Sequence, residues 1–300
     1  MTKLAKLMVV VAMMAAAGTA QAHDAGVDCD NCKAWNAPAK PFNIHGNTWY
    51  VGVAGLSAVL VTSEGGHILL DGALPQSAPL IQANIESLGF SMKDVKLILN
   101  SHAHWDHAGG IAALARASGA TVMASASSAK VLQSGTNGLD DPQYQAKPVV
   151  HVAKVEQVTV VKEGDVVKLG QLALTAHATP GHTPGGTTWT WTSCEDRRCV
   201  NIVYADSLNP YSSGDFRFTG NGRGKQNTPD ISASFQASIA KVATLPCDII
   251  IPVHPGTTGL LEKAAGRSSE HNPLIDSNGC RAYADEAGKL LAKRLASERG

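Results

Sequence analysis

The chain has 300 residues with 25 basic and 25 acidic side chains, so its formal net charge is zero. Hydrophobic residues make up 44% and charged residues 17%, ample apolar material for a packed core, which excludes intrinsic disorder. A neutral balance gives no electrostatic reason to expect nucleic acid or an anionic membrane as partner.

The N-terminus is a separate object. "MTKLAKLMVVVAMMAAAGTAQA" begins with Lys3 and Lys6, runs apolar from Leu7 to Ala17 and closes on Ala20-Gln21-Ala22. That is the pattern of a secretory signal peptide ending in a small-residue cleavage site. The apolar run is too short to span a bilayer comfortably. The pattern predicts removal of residues 1–22, export to the periplasm, and a membrane-free mature protein of residues 23–300 forming one domain.

The next elements alternate in period. "NTWYVGV", "SAVLVTS" and "HILLDG" read as strands, the last two joined by a hairpin turn at Glu64-Gly65-Gly66. "SAPLIQANIESLGF" places Leu80, Ile81, Ile85 and Leu88 at helical spacing and stops at Gly89. "VKLILN" is a short buried strand, and "DHAGGIAALARASG" a helix after it. "TVMAS" and "SSAKVLQSG" continue as strand and helix. Further on, strands are expected at 158–161, 165–168, 171–177, 186–192 and 200–205. The glycine-rich segment 208–229 reads as a surface loop beside the site. A helix follows at 230–245, then the strand "DIIIPV" and a last helix from Cys280. Each half thus gives strands and then alternating helix and strand. The fold class is α/β: two mixed sheets packed face to face with helices outside, and the site at strand ends on a shared edge.

Six cysteines in an exported chain suggest disulfides. Local spacing suggests Cys29 with Cys32 and Cys194 with Cys199, leaving Cys247 with Cys280, although sequence alone does not choose among the pairings. Cys29 and Cys32 could instead form half of a zinc knuckle, but no second C-x-x-C completes it.

The chemistry concentrates in "NSHAHWDHAGG". His102 and His104, two apart in extended chain, point to one side. Asp106 and His107 open a helix, whose N-terminus favours the carboxylate's charge. Gly109 and Gly110 allow a tight turn. Three histidines and an aspartate within six residues would be costly in a core unless each were satisfied. Neutral imidazole and carboxylate suit zinc. Each pair needs a third ligand, and two downstream histidines sit in rigid Pro/Gly loops at strand ends: His182 in "ATPGHTPGG" and His254 in "IIIPVHPG". Two triads result, His102–His104–His182 and Asp106–His107–His254, for two Zn2+ ions. His177 reads as packed or as a partner behind a ligand. His45, His67, His151 and His271 read as structural, and Trp105 as packing beside the site.

With these motifs in place, the sequence resembles the metallo-β-lactamase superfamily, whose shared motif H-x-H-x-D-H is matched by "HAHWDH". More specifically it is similar to the subclass B3 enzymes, through "FNIHGNTWYVG", "SAVLVTS", "GHILLDG", "ATPGHTPGGTTWTW", "YADSL" and "CDIIIPVHPG". The resemblance implies an αβ/βα sandwich with two zinc ions at one edge, on the two triads above, and a Cys247–Cys280 disulfide. It implies a monomeric hydrolase that opens the β-lactam amide of penicillins, cephalosporins and carbapenems with a metal-bridging hydroxide, Asp106 orienting that hydroxide, and so confers antibiotic resistance. Ser207 falls where other subclasses carry a cysteine ligand, and the resemblance gives it a contact to a zinc-bound water or to the substrate carboxylate. Asn209 stands where many relatives have a second serine for that carboxylate; an amide can still donate a hydrogen bond. The rival readings are a thioester hydrolase or lactonase of the same fold that uses Asp206 to bridge the metals, and a non-enzymatic zinc-binding protein.

Overall fold

The computed structural model describes residues 26–145, 152–221, 228–268 and 270–299. The signal-peptide reading of 1–22, His23 and His151 lie outside the described residues. No helix among the described residues is long and apolar enough to cross a membrane.

Two sheets form the centre. The first has seven strands in chain order: β1 (Phe42–His45), β2 (Thr48–Tyr50), β3 (Val59–Val61), β4 (His67–Leu70), β5 (Val95–Leu99), β6 (Thr121–Ser125) and β7 (Val158–Val161). Pairing is antiparallel from β1 to β4 and parallel from β4 to β7. The second sheet holds β8 (Val166–Leu169), β9 (Leu172–Ala178), β10 (Thr187–Glu195), β11 (Arg198–Ala205) and β12 (Ile249–Pro252), in the spatial order β12-β11-β10-β9-β8. Only β11–β12 is parallel there. Eight helices are described: α1 (Cys32–Trp35), α2 (Ala78–Ser87), α3 (Trp105–Ala108), α4 (Ile111–Ser118), α5 (Ala126–Ser134), α6 (Ser232–Thr244), α7 (Leu260–Ala265) and α8 (Gly279–Arg299).

Burial explains the layering. β3 and β4 are buried at every position, as expected of strands covered on both faces, whose sequence is continuously apolar rather than alternating. Tyr50, Val59 and Ile68 of the first sheet meet Leu174, Trp189 and Ile202 of the second in one buried cluster between the sheets. Ile81, Leu114 and Leu132 of α2, α4 and α5 cover the outer face of the first sheet. Phe235 of α6 and Leu291 of α8 cover the second sheet's outer face at Val203 and Ile250. The result is the αβ/βα sandwich of two mixed sheets.

Two expectations need correction, the single helix from Asp106 and the surface loop 208–229, and two features had no assignment, the sheet of the strand at 158–161 and strand β1. The strand at 158–161 belongs to the first sheet, where it pairs with β6. The helix read from Asp106 to Gly119 is two helices, α3 and α4, separated at Gly109-Gly110. Segment 208–229 is not all surface: Phe216 and Phe218 are buried with Phe235, because the outer face of the second sheet needs more apolar cover than α6 and α8 provide. Strand β1, part-buried and carrying Asn43 and His45, was not visible in the periodicity.

All six cysteines pair as local spacing suggested: Cys29–Cys32, Cys194–Cys199 and Cys247–Cys280. The first pairing removes the zinc-knuckle reading. Cys194 and Cys199 face each other across β10 and β11. Cys247–Cys280 ties the entry of β12 to the first turn of α8 across 33 residues. A closed loop of that length stabilises by about 3–4 kcal/mol in the chain-entropy limit. The double variant Cys247→Ser, Cys280→Ser is therefore expected to lose up to about 3 kcal/mol in a denaturant melt, with the metal content unchanged.

Candidate metal centre

The site is built where β5, β9 and β12 end. After Leu99 the chain leaves the first sheet, and Asp71, just past β4, holds the exit. Its carboxylate accepts from Ser101 N at 2.8 Å, Ser101 Oγ at 2.6 Å, Tyr204 OH at 2.9 Å and Asn100 Nδ2 at 3.1 Å. Thr187 N donates to Ser101 O at 2.8 Å, so the second sheet grips the same turn. His104 is then the N-cap of the short helix α3 in extended conformation, which puts Asp106 and His107 one step further round.

Gly109 and Gly110 have ordinary right-handed backbone, so the reason for glycine is space rather than conformational freedom. A Cβ on Gly110 would lie 2.3 Å from the carbonyl oxygen of Gly72, and one on Gly109 would lie 2.4 Å from Pro75. Gly110→Ala is expected to cost about 1–3 kcal/mol through overpacking, read as a lowered midpoint of denaturation.

His182 sits between β9 and β10 in a turn closed by Gly181 N donating to Thr183 O at 3.0 Å. His254 follows β12 and stacks at a tilt against Trp35, with ring centroids 5.3 Å apart. All six predicted donors meet. His102, His104 and His182 each offer a nitrogen within 4.8 Å of the others, and the ring nitrogens of His102 and His107 and a carboxylate oxygen of Asp106 lie equally close together. In the second predicted triad His107 Nε2 lies 3.1 Å from His254 Nε2. Asp106 Oδ2 lies 3.3 Å from the former and 3.5 Å from the latter.

These donors fit a metal. Tetrahedral bonds of about 2.0–2.1 Å to nitrogen or oxygen put neighbouring ligand atoms about 3.3 Å apart, which the Asp106–His107–His254 spacing matches. In the other triad His102 Nε2 is buried and has no hydrogen-bond partner, while His102 Nδ1 donates to Asp206 Oδ1 at 2.7 Å. His182 Nδ1 donates to the carbonyl of Asn209 at 2.7 Å, which leaves its Nε2 unprotonated as an acceptor. The Gln143 amide donates to that nitrogen and to His104 Nδ1, both at 3.3 Å; two imidazole lone pairs thus converge on one cation-seeking spot. Burial pushes the pKa of His102 well below the ordinary histidine value, helped by neighbouring His107 and His104. Burial likewise pushes His182 down to about 3. Both rings stay neutral, as ligation requires. Burial alone would raise the Asp106 carboxyl, but adjoining His107 and His254 hold it well below the usual range.

The rest of the predicted set is placed as follows. Ser207 is buried, and it lines a cavity with Asn209, His104, Asp106, His182 and His254. Asp206, weighed as a bridging ligand, is bound to the Nδ1 side of His102, so the imidazole ring stands between its carboxylate and the unpartnered Nε2. His177 bonds Thr190 Oγ1 at 2.8 Å, and His45 and His67 are buried with backbone partners. Trp105 packs near Trp35 at 6.2 Å. Sequence reasoning missed Trp35, at the end of the short helix α1, and Asp141 and Gln143, in the loop after α5, none with a spacing to mark it.

The model of the metallo-β-lactamase superfamily matches residues 51–254, the span that supplies all six donors. The chain belongs to the metallo-β-lactamase superfamily. Solved structures narrow this to likeness with subclass B3. The metallo-β-lactamase MEM-A1, a subclass B3 enzyme isolated from a soil metagenome library, is 49% identical with TM-score 0.84, over 88% of this chain and 98% of that one. The Rm3 metallo-β-lactamase is 48% identical with TM-score 0.85, over 91% of this chain and 100% of that one. BJP-1, a subclass B3 enzyme of Bradyrhizobium japonicum, is 32% identical with TM-score 0.80, over 90% and 98% of the two chains. Among curated proteins, the hydroxyacylglutathione hydrolase of Anaeromyxobacter dehalogenans is 33% identical over 159 residues, 53% of this chain and 46% of that protein. The chain spans about half the length of the curated relatives it matches. The protein is thus a member of the metallo-β-lactamase superfamily with a histidine-rich candidate metal site.

Proposed function

We propose that the protein hydrolyses the amide bond of the β-lactam ring, using two zinc ions held by His102, His104 and His182 and by Asp106, His107 and His254. Bound there, zinc supplies Lewis acidity and brings the ionisation of water towards neutral pH. The residues do the rest. His102, His104 and His182 are uncharged donors and Asp106 contributes one negative charge, so the loaded site stays cationic and draws in a substrate carboxylate. Asp106 also accepts a hydrogen bond from, and thereby orients, the attacking water. The Ser207 hydroxyl and Asn209 amide, on the wall of the same cavity, hold the substrate carboxylate. The signal-peptide reading, with three disulfides suited to an oxidising compartment, puts this activity in the periplasm, where it would confer β-lactam resistance.

The observation that carries the proposal is the position of Asp206 behind the His102 ring, 2.7 Å from Nδ1, in a chain alike over its length to subclass B3 enzymes. A thioester hydrolase or lactonase reading needs that carboxylate between the metals. The test is a substrate panel on residues 23–300: a penicillin, a cephalosporin, a carbapenem and an S-acylglutathione, with and without chelator. Chelator-sensitive turnover of the β-lactams is expected. Turnover of the thioester alone would transfer the protein to the rival reading.

A further inference from the structure

Each histidine offered to the first triad has a partner on its other ring nitrogen, and one of those partners belongs to neither the shared motifs nor the strand ends. Asp141 lies in the loop after α5, 37 residues from His104 in sequence. It is buried, with 4% of its surface exposed. Both its oxygens lie against His104 Nε2, at 3.1 and 3.2 Å. The same carboxylate accepts from Gln143 N at 2.7 Å, and Tyr144 N donates to Asp141 O at 3.0 Å, so the side chain also closes its own turn.

His104 differs from its neighbours. His102 and His182 turn Nδ1 outward to their partners and keep Nε2 for the site. His104 is reversed: Nε2 faces Asp141 and Nδ1 faces the centre, where the Gln143 amide meets it. A ring attached through Cγ has its Nδ1 close to the backbone. It reaches the common point from that atom only if the ring is held at one angle. A carboxylate on both sides of the far N–H fixes the angle and the tautomer, and it raises the basicity of the nitrogen left over. Ordinary backbone carbonyls do this for His182 and His254. A carboxylate also backs His102, through one oxygen of Asp206, whereas His104 meets both oxygens of Asp141.

We infer that Asp141 is the positioning residue for His104, locking its ring with Nε2–H outward so that Nδ1 is held as the donor to the His102–His104–His182 metal. This rests on the metal reading above. Because the loop that carries Asp141 also carries Gln143, the same contact sets where that amide enters the cavity.

The experiment compares wild type, Asp141→Ala and Asp141→Asn by two readouts. The first is nitrogen NMR of the histidine rings in zinc-stripped protein. The second is zinc affinity by competition with a chromophoric chelator. At a pH where the ring is neutral, wild type should show His104 as the single Nε2–H tautomer. Asp141→Ala should show mixed tautomers and bind the first zinc 10–100-fold more weakly, the usual cost of losing an outer partner. Asp141→Asn keeps an oxygen acceptor and should recover the tautomer and part of the affinity, at unchanged melting temperature. An unaltered tautomer in Asp141→Ala, or affinity lost equally in both variants, would overturn the inference. If wild type itself binds no zinc, the metal reading fails, and the tautomer comparison still decides whether Asp141 positions the ring.

Discussion

Replacing His102 with alanine should lower kcat/KM for a β-lactam by more than about 100-fold, beyond the upper end of what loss of a partner behind a ligand costs. His102 is the donor that both candidate donor groups contain. It is fully buried, so no water replaces it freely. Its removal also leaves the buried Asp206 carboxylate without the ring that donates to it. Burial already raises the Asp206 carboxyl pKa well above the usual value, and the variant takes away its hydrogen-bond donor as well. Zinc bound per chain, measured beside the kinetics, should fall with activity. Retained activity at less than a tenfold loss would remove His102 from the metal centre.

Replacing Asp71 with alanine should cost about 3–5 kcal/mol of folding stability. The variant strips Ser101 N and Ser101 Oγ of their short hydrogen bonds to the carboxylate, and an orphaned buried donor costs about 1–3 kcal/mol. Tyr204 OH and Asn100 Nδ2 lose one partner each but keep another, at Ser57 O and His102 O. Asp71 also sits at φ +57, where aspartate is tolerated better than alanine. Domains of this kind have about 5–15 kcal/mol in total, so the variant should melt early in denaturant and hold zinc poorly, since the Ser101 turn aims His102. Asp71→Asn keeps one acceptor oxygen and should lose about half as much. A shift below about 1 kcal/mol for Asp71→Ala would show that the turn is held elsewhere.

The donor set was legible in the sequence because each member carries a local mark. His102, His104, Asp106 and His107 crowd into six residues, and His182 and His254 stand in Pro/Gly turns after apolar strands. Both marks follow from chemistry that needs several donors on rigid backbone. Most of the sheet was legible too, since buried strands such as "VLV" of β3 and "IIIP" of β12 leave continuous apolar runs. What stayed hidden depends on contacts far apart in the chain. The strand at 158–161 looks alike whichever sheet it joins, and only pairing with β6 decides. At the break between α3 and α4, Pro75 and Gly72 approach Gly109 and Gly110 too closely for a side chain, and sequence does not reveal these neighbours. Asp141 is one acidic residue among several in a polar loop, and only the fold brings it to His104.

The most direct test of the account is a zinc titration of the metal-depleted protein, with carbapenem hydrolysis followed at each addition. Two sites built from six donors predict no turnover without metal, and recovery that levels off at two equivalents of zinc per chain. Hydrolysis undiminished in the metal-depleted protein, or none at any zinc concentration, would contradict it.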